Sequence, residues 1–184
     1  MAKRAFFVLA PESSGGRLLT QCLIAAGCEG DATHAQRFDR PEALARAGDL
    51  IVWRRSLPHA QCWPDLDGDL ARLQQHGYRD VRVIALVRND YCTVRSQVWG
   101  CEPHTTTFEQ AGRQVTGALR RIASFVLENN LPCRWMTYES VISESQRDIF
   151  KRALAEWGLD LTALPSIRDE NQKYLEAWAT LPPS

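Results

Sequence analysis

Three short stretches of the chain carry residue types that do chemistry on anions. The first is Pro11-Glu12-Ser13-Ser14-Gly15-Gly16-Arg17. Gly15 and Gly16 have no side chain, so backbone N–H groups there can close around oxygen atoms. Ser13 and Ser14 add hydroxyl donors, and Arg17 adds a guanidinium. The second stretch, Arg54 to His59, holds two more cations and a histidine that can take a proton near neutral pH. The third runs from Arg88 to Ser96. An arginine at a strand end and a hydroxyl from a following helix can close on one phosphate. The same residues also have plainer uses: a glycine turn before a helix, a solvated loop, a surface arginine.

The surrounding pattern supplies elements that would position these stretches. Ala5–Ala10 is wholly apolar, as a strand buried on both faces must be. Arg17–Ala26 carries Leu18, Leu19, Cys22, Leu23 and Ala26 at helical spacing and ends at Gly27. Pro41–Ala47 reads as a short helix, Asp49–Trp53 as a second strand and Leu57–Pro64 as loop. Leu66–Gln75 is a helix stopped by Gly77, and Val81–Val87 a third strand. Thr105–Asn129 is a long amphipathic helix with Val115, Leu119, Ile122 and Val126 on one stripe. Pro132–Thr137 is a fourth strand. Ser143 caps a helix that closes at Gly158, and a last helix spans about Asp169–Ala179. Strands alternating with helices predict a three-layer α/β sandwich with a mostly parallel central sheet. Ligands in such sheets sit at the carboxyl ends of the strands, which puts all three stretches on one edge.

The length of 184 residues predicts a single domain, with a core over about residues 4–160 and a tail over 161–184. Lys plus Arg and Asp plus Glu both number 22. That balance argues against broad nucleic-acid binding, which needs a basic excess, but allows a local basic pocket. Lys3 and Arg4 precede an apolar run too short for a signal peptide or a membrane span. The six cysteines are scattered, with no C-x-x-C, and read as reduced thiols of a cytoplasmic protein. His59-x-x-Cys62 and Cys101-x-x-His104 have zinc-ligand spacing. Joining them needs a coincidence of fold, so isolated loop residues are the expectation and no metal site is assigned.

The magnesium-NTPase loop G-x-x-x-x-G-K-[ST] is half met. Gly16-Arg17 stands for Gly-Lys, but Pro11 replaces the first glycine and Leu18 replaces the magnesium-binding hydroxyl. Pro11-Glu-Ser-Ser-Gly-Gly-Arg-Leu-Leu19 instead resembles the 5′-phosphosulfate loop of sulfotransferases, roughly P-[KR]-S-G-T-[TS]-[LW]-L, with Ser13 at the family's basic position. Val83–Ser96 resembles their 3′-phosphate segment, an apolar strand followed by R-[DN]-P-x-[DE]-x-x-x-S, and Arg88 and Ser96 keep its spacing. Trp53–Pro58, Trp135–Ser140 and Trp157-Gly-Leu159 are similar to weaker family patterns, so the resemblance covers most of residues 5–160. The family's C-terminal R-K-G-x-x-G segment has no match, and two expectations follow: its grip on the donor falls to Arg168–Tyr174, or it is missing.

The resemblance implies a P-loop NTPase-like sulfotransferase fold. It implies the donor 3′-phosphoadenosine 5′-phosphosulfate, no metal requirement, and a small-molecule hydroxyl or amine acceptor. The donor-binding set is then Ser13, Ser14, Gly15, Gly16, Arg17, Leu18, Arg88 and Ser96. Arg17 stabilises charge on the leaving phosphate. The family's usual base position reads Ser56, which makes His59 the candidate base. Glu12, Arg54 and Arg55 are further ionisable groups on the same edge, and His34 and His104 are remoter alternatives. His76, at a helix C-terminus, is structural. Tyr138 and Glu139 are expected to brace the loop, and the six tryptophans are expected mainly in core or interface. A P-loop small-molecule kinase and a catalytically inactive nucleotide-binding module are the competing expectations.

Overall fold

The computed structural model describes residues 3–34, 37–59, 62–99, 107–162 and 164–179. Among them four strands form one all-parallel sheet: β1 (Lys3–Pro11), β2 (Leu50–Leu57), β3 (Tyr78–Val87) and β4 (Cys133–Thr137), in the order β2-β1-β3-β4. Parallel neighbours require crossover connections. These carry α1 (Gly16–Ala25), α2 (Pro41–Arg46), α3 (Leu66–Gln75), α4 (Asp90–Trp99) and α5 (Phe108–Glu128). Beyond β4 come α6 (Tyr138–Ile142), α7 (Glu144–Ala155) and α8 (Gln172–Ala179).

β1 is the middle of the core because its side chains alternate between two apolar faces. Ala5, Phe7 and Leu9 pack with Leu44 of α2, Leu70 of α3 and Ile122 of α5. Phe6, Val8 and Ala10 pack with Leu19 and Leu23 of α1 and Phe150 and Leu154 of α7. Helices therefore cover both faces, which is the three-layer arrangement expected. Each fully buried Phe or Leu side chain contributes about 1.5–3 kcal/mol. Phe7 adds ring contacts to Trp53 at 5.7 Å and to Phe125 at 6.0 Å.

Several details differ from expectation. β2 runs on to Leu57, so Arg54, Arg55 and Ser56, expected just past the strand, and Leu57, expected in the loop, are strand residues. The first three pair their backbone with Val8–Ala10 of β1, and that ladder overrides the polar composition. The last helix begins at Gln172 instead of Asp169. Ser143 stands at the N-cap of α7 without a side-chain cap bond, its hydroxyl lying 2.9 Å from that of Ser145. The long helix α5 has a full capping box, Thr107 with Gln110.

The chain leaves β1 for β2 on one side and returns to β3 on the other. That reversal opens a crevice at the carboxyl ends of β1 and β3. Among the described residues no helix is long and apolar enough to cross a membrane.

Candidate functional site

The crevice begins with a tight turn. Ser14 donates its N–H to the Pro11 carbonyl at 3.1 Å, and Gly15 adopts φ +87°. A Cβ on Gly15 would lie 2.3 Å from Cδ2 of Tyr138, so both backbone and ring demand glycine there. Ser13 also has a positive φ, and its carbonyl accepts a hydrogen bond from Arg88 Nη1 at 2.9 Å. Helix α1 then starts with no side-chain cap and no acid in its first turn. Leu19 makes the first bond back, to the Gly15 carbonyl. The N–H groups of Gly16, Arg17 and Leu18 precede it and have no acceptor within the helix. With the helix dipole they form a positive end aimed at the crevice.

That crevice is a cleft of about 480 Å³. Arg54 leans over the loop, and a Cβ on Gly16 would sit 3.2 Å from its Cδ. Arg54 is half-buried and its Nε has no partner. Burial, then the adjacent Arg17 charge, push its guanidinium below the ordinary value. Asp31 acts weakly against this shift but forms no ion pair with Arg54; its carboxylate accepts the N–H groups of Thr33 and His34. Among the described residues neither Arg17 nor Arg54 has an ion-pair partner. Two adjacent cations without a counter-charge favour an anion.

Arg88, at the end of β3, is buried and largely committed to the protein. Its Nε donates to Asn171 Oδ1 at 2.5 Å and its Nη1 to Ser13, while the rings of Tyr138 and Tyr174 lie 4.7 and 5.5 Å away. Only Nη2 is left, buried and without a partner. The bidentate phosphate grip expected of Arg88 is therefore reduced to one nitrogen. The other two tie the loop to the tail. Asn171 passes the link on to Glu139 at 2.8 Å, and Glu139 accepts the Asn89 N–H. Tyr138 donates its hydroxyl to the Arg168 carbonyl and accepts the Glu170 N–H. Tyr138 and Glu139 thus brace the cleft, and the tail brings Arg168, Glu170, Lys173 and Tyr174 to its wall.

The sequence-expected residues divide accordingly. Ser13, Gly15, Gly16, Arg17, Leu18, Arg88 and Ser96 line one cleft, together with Arg54 and Ser56. Ser14 does not: it is buried and its hydroxyl has no partner. His59 is also absent from the lining. Its ring is more than half exposed, with Nδ1 3.3 Å from Glu12 Oε1. Arg55 faces away from the cleft, because successive strand side chains alternate. It lies within 2.6 Å of both Asp39 and Asp69.

None of the six tryptophans lines the cleft. Trp53 is core as expected, but Trp63, Trp99, Trp135 and Trp178 are exposed, because they sit on helix, loop and edge-strand surfaces. His76 caps α3, its Nδ1 2.9 Å from the Arg72 carbonyl. Of the zinc pattern, Cys101 and His104 lie outside the described residues, and His59 and Cys62 exchange backbone hydrogen bonds. Among the described residues no three His, Cys, Asp or Glu side chains converge as metal ligands.

Arg54 carried a partial signal, as a cation after an apolar strand. The basic pair Arg168 and Lys173 carried another. Asn171 carried none, since its role depends on partners 32 and 83 residues away. A scan with protein-family models finds no match to the chain, and a search of curated proteins finds no similar sequence.

Proposed function

We propose that this protein is a sulfotransferase that moves a sulfuryl group from 3′-phosphoadenosine 5′-phosphosulfate to a hydroxyl or amine acceptor. The observation that carries the reading is the unpaired Arg17–Arg54 couple over an uncapped helix start. Such a site suits a group with delocalised negative charge. The fit to the donor rests on a glycine cradle that a Cβ would fill and on the orphaned Nε of Arg54 and Nη2 of Arg88. When bound, the phosphosulfate supplies an activated sulfuryl group.

The chain's own residues hold and polarise. The amides of Gly16, Arg17 and Leu18, with the Arg17 and Arg54 guanidiniums, would take the 5′ end. Arg88 Nη2 and the Ser96 hydroxyl would take the 3′-phosphate. Arg17 would absorb negative charge that develops on the departing oxygen, and its loss to alanine is expected to cost about 3 kcal/mol of transition-state stabilisation. The acceptor proton is left to His59, whose Nδ1 faces Glu12, with Nε2 as the atom that takes it.

One observation favours a second reading, a nucleotide-binding module without transfer: His59 lies off the cleft. A kinase fits less well, because Leu18 replaces the metal-binding hydroxyl and, among the described residues, Glu170 is the one acid in the lining. Titration calorimetry separates the three. Adenosine 3′,5′-bisphosphate is expected to bind without magnesium, and ATP poorly. Tight magnesium-dependent ATP binding would replace the reading with a kinase. Bisphosphate binding with no sulfuryl transfer to any hydroxyl or amine acceptor would leave the module.

A further inference from the structure

The cleft holds two groups of cations that differ in counter-charge. Among the described residues Arg17 and Arg54 have none. Arg168 and Lys173 share Glu170: Lys173 Nζ lies 2.8 Å from one carboxylate oxygen and Arg168 Nε 3.5 Å from the other. Among the described residues Glu170 is the one acid lining the cleft. The hydrogen bond from Lys173, with the Arg168 and Arg88 charges, holds its carboxyl below the ordinary value, so it is ionised at neutral pH. Its backbone is pinned: the Glu170 N–H is donated to Tyr138 Oη at 3.1 Å, and Asn171 beside it is buried between Arg88 and Glu139. The side chain is not pinned. It is 40% exposed, and it can rotate into water without moving the chain.

We propose that Glu170 is a specificity-determining residue, a built-in anion that competes for Lys173 and Arg168 with the second anionic group of a bound nucleotide, the one at Arg88 Nη2 and Ser96 on the same cleft. The inference rests on the nucleotide reading of the cleft and adds to it how the site weighs charge. A ligand with one anionic group satisfies Arg17 and Arg54 and leaves the Glu170 contacts alone. A ligand with two meets a carboxylate already occupying the second cations, and must turn it out or bear its repulsion. The wild-type cleft thereby favours doubly anionic nucleotides less than its cations alone would.

Calorimetry without magnesium tests this with adenosine 3′,5′-bisphosphate and adenosine 5′-monophosphate as paired probes. Glu170→Gln is expected to tighten the bisphosphate about fivefold and the monophosphate less than about twofold, the scale of a partly exposed ion pair. Glu170→Ala, which also removes the acceptor for Lys173, should move the ratio the same way, and circular dichroism checks that both variants fold. Lys173→Ala should weaken the bisphosphate about fivefold and spare the monophosphate. An unchanged or falling ratio in both Glu170 variants overturns the inference while leaving the nucleotide reading intact. If the wild-type protein binds neither nucleotide, the proposed function fails and this inference with it.

Discussion

Arg54 and Arg55 are neighbours on one strand and live in opposite electrostatic worlds. Arg55 points to the α2–α3 side, where Asp39, Asp69 and the ring of Trp53 at 4.6 Å surround it, and Arg72 shares Asp69. Burial works against its charge, but the hydrogen bonds that it donates to Asp69 and Asp39 more than offset it and hold the guanidinium above its ordinary value. Arg54 points to the loop side, with Arg17 for a neighbour and an Nε that bonds to nothing. Both charges are half-buried by the same sheet. The difference lies in who faces them. A partnered cation holds the fold together, whereas an unpartnered one is a standing cost that a ligand can relieve.

The sharpest way to break that contrast is to delete each arginine in turn. Arg55→Ala leaves the Asp69 carboxylate, almost wholly buried, with Arg72 alone, and is expected to destabilise the fold by about 3–5 kcal/mol. Urea unfolding measures it. A loss below about 1 kcal/mol would place Arg55 with the solvated surface pairs. Arg54→Ala should do the reverse. Stability stays level or rises slightly, because an uncompensated charge leaves the interior. Affinity for adenosine 3′,5′-bisphosphate should fall by about 2 kcal/mol, the worth of a charge-assisted hydrogen bond. If Arg54→Ala unfolds the protein as Arg55→Ala does, the two sides are alike and the case for an anion at Arg54 collapses.

The contrast also marks how far the sequence could be read. Apolar runs and glycines are local signals, so the β1 strand, the turn at Gly15 and the start of α1 were legible, as were the three parallel crossovers that gather the segments on one edge. What failed was non-local. The run Arg54-Arg55-Ser56 looks like loop until β1 is known to extend beside it to Pro11. Only the strand's alternation then sends Arg54 to the cleft and Arg55 to the salt-bridge network. His59 lies off the lining for a related reason, since β2 carries the chain on through Ser56 and Leu57 before it leaves the sheet. Arg88 was placed correctly, but its partners on Ser13 and Asn171 lie 75 and 83 residues away, beyond any spacing rule.

A third set of cations tests the intermediate case, paired but wet. At the opposite end of the sheet, Asp80 accepts from Arg4 Nε at 2.5 Å and Arg82 Nε at 2.9 Å, with each side chain roughly a fifth to a third exposed. Burial alone would raise the Asp80 carboxyl, but hydrogen bonds from Arg82 and Arg4 outweigh it and leave it below its ordinary value. A depressed carboxyl stabilises the fold above its unfolded value, near pH 4, and the contribution disappears as pH falls through the lower, folded one. Solvent screening limits it to no more than about 1 kcal/mol. Asp80→Asn should therefore be less stable than the parent in urea at pH 7, and the gap should narrow on acidification below about pH 4 as the parent loses the same charge. A gap that persists unchanged at low pH would mean that Asp80 acts through packing and neutral hydrogen bonds. Partnership, in that event, would separate Arg55 from Arg54 only where water is also excluded.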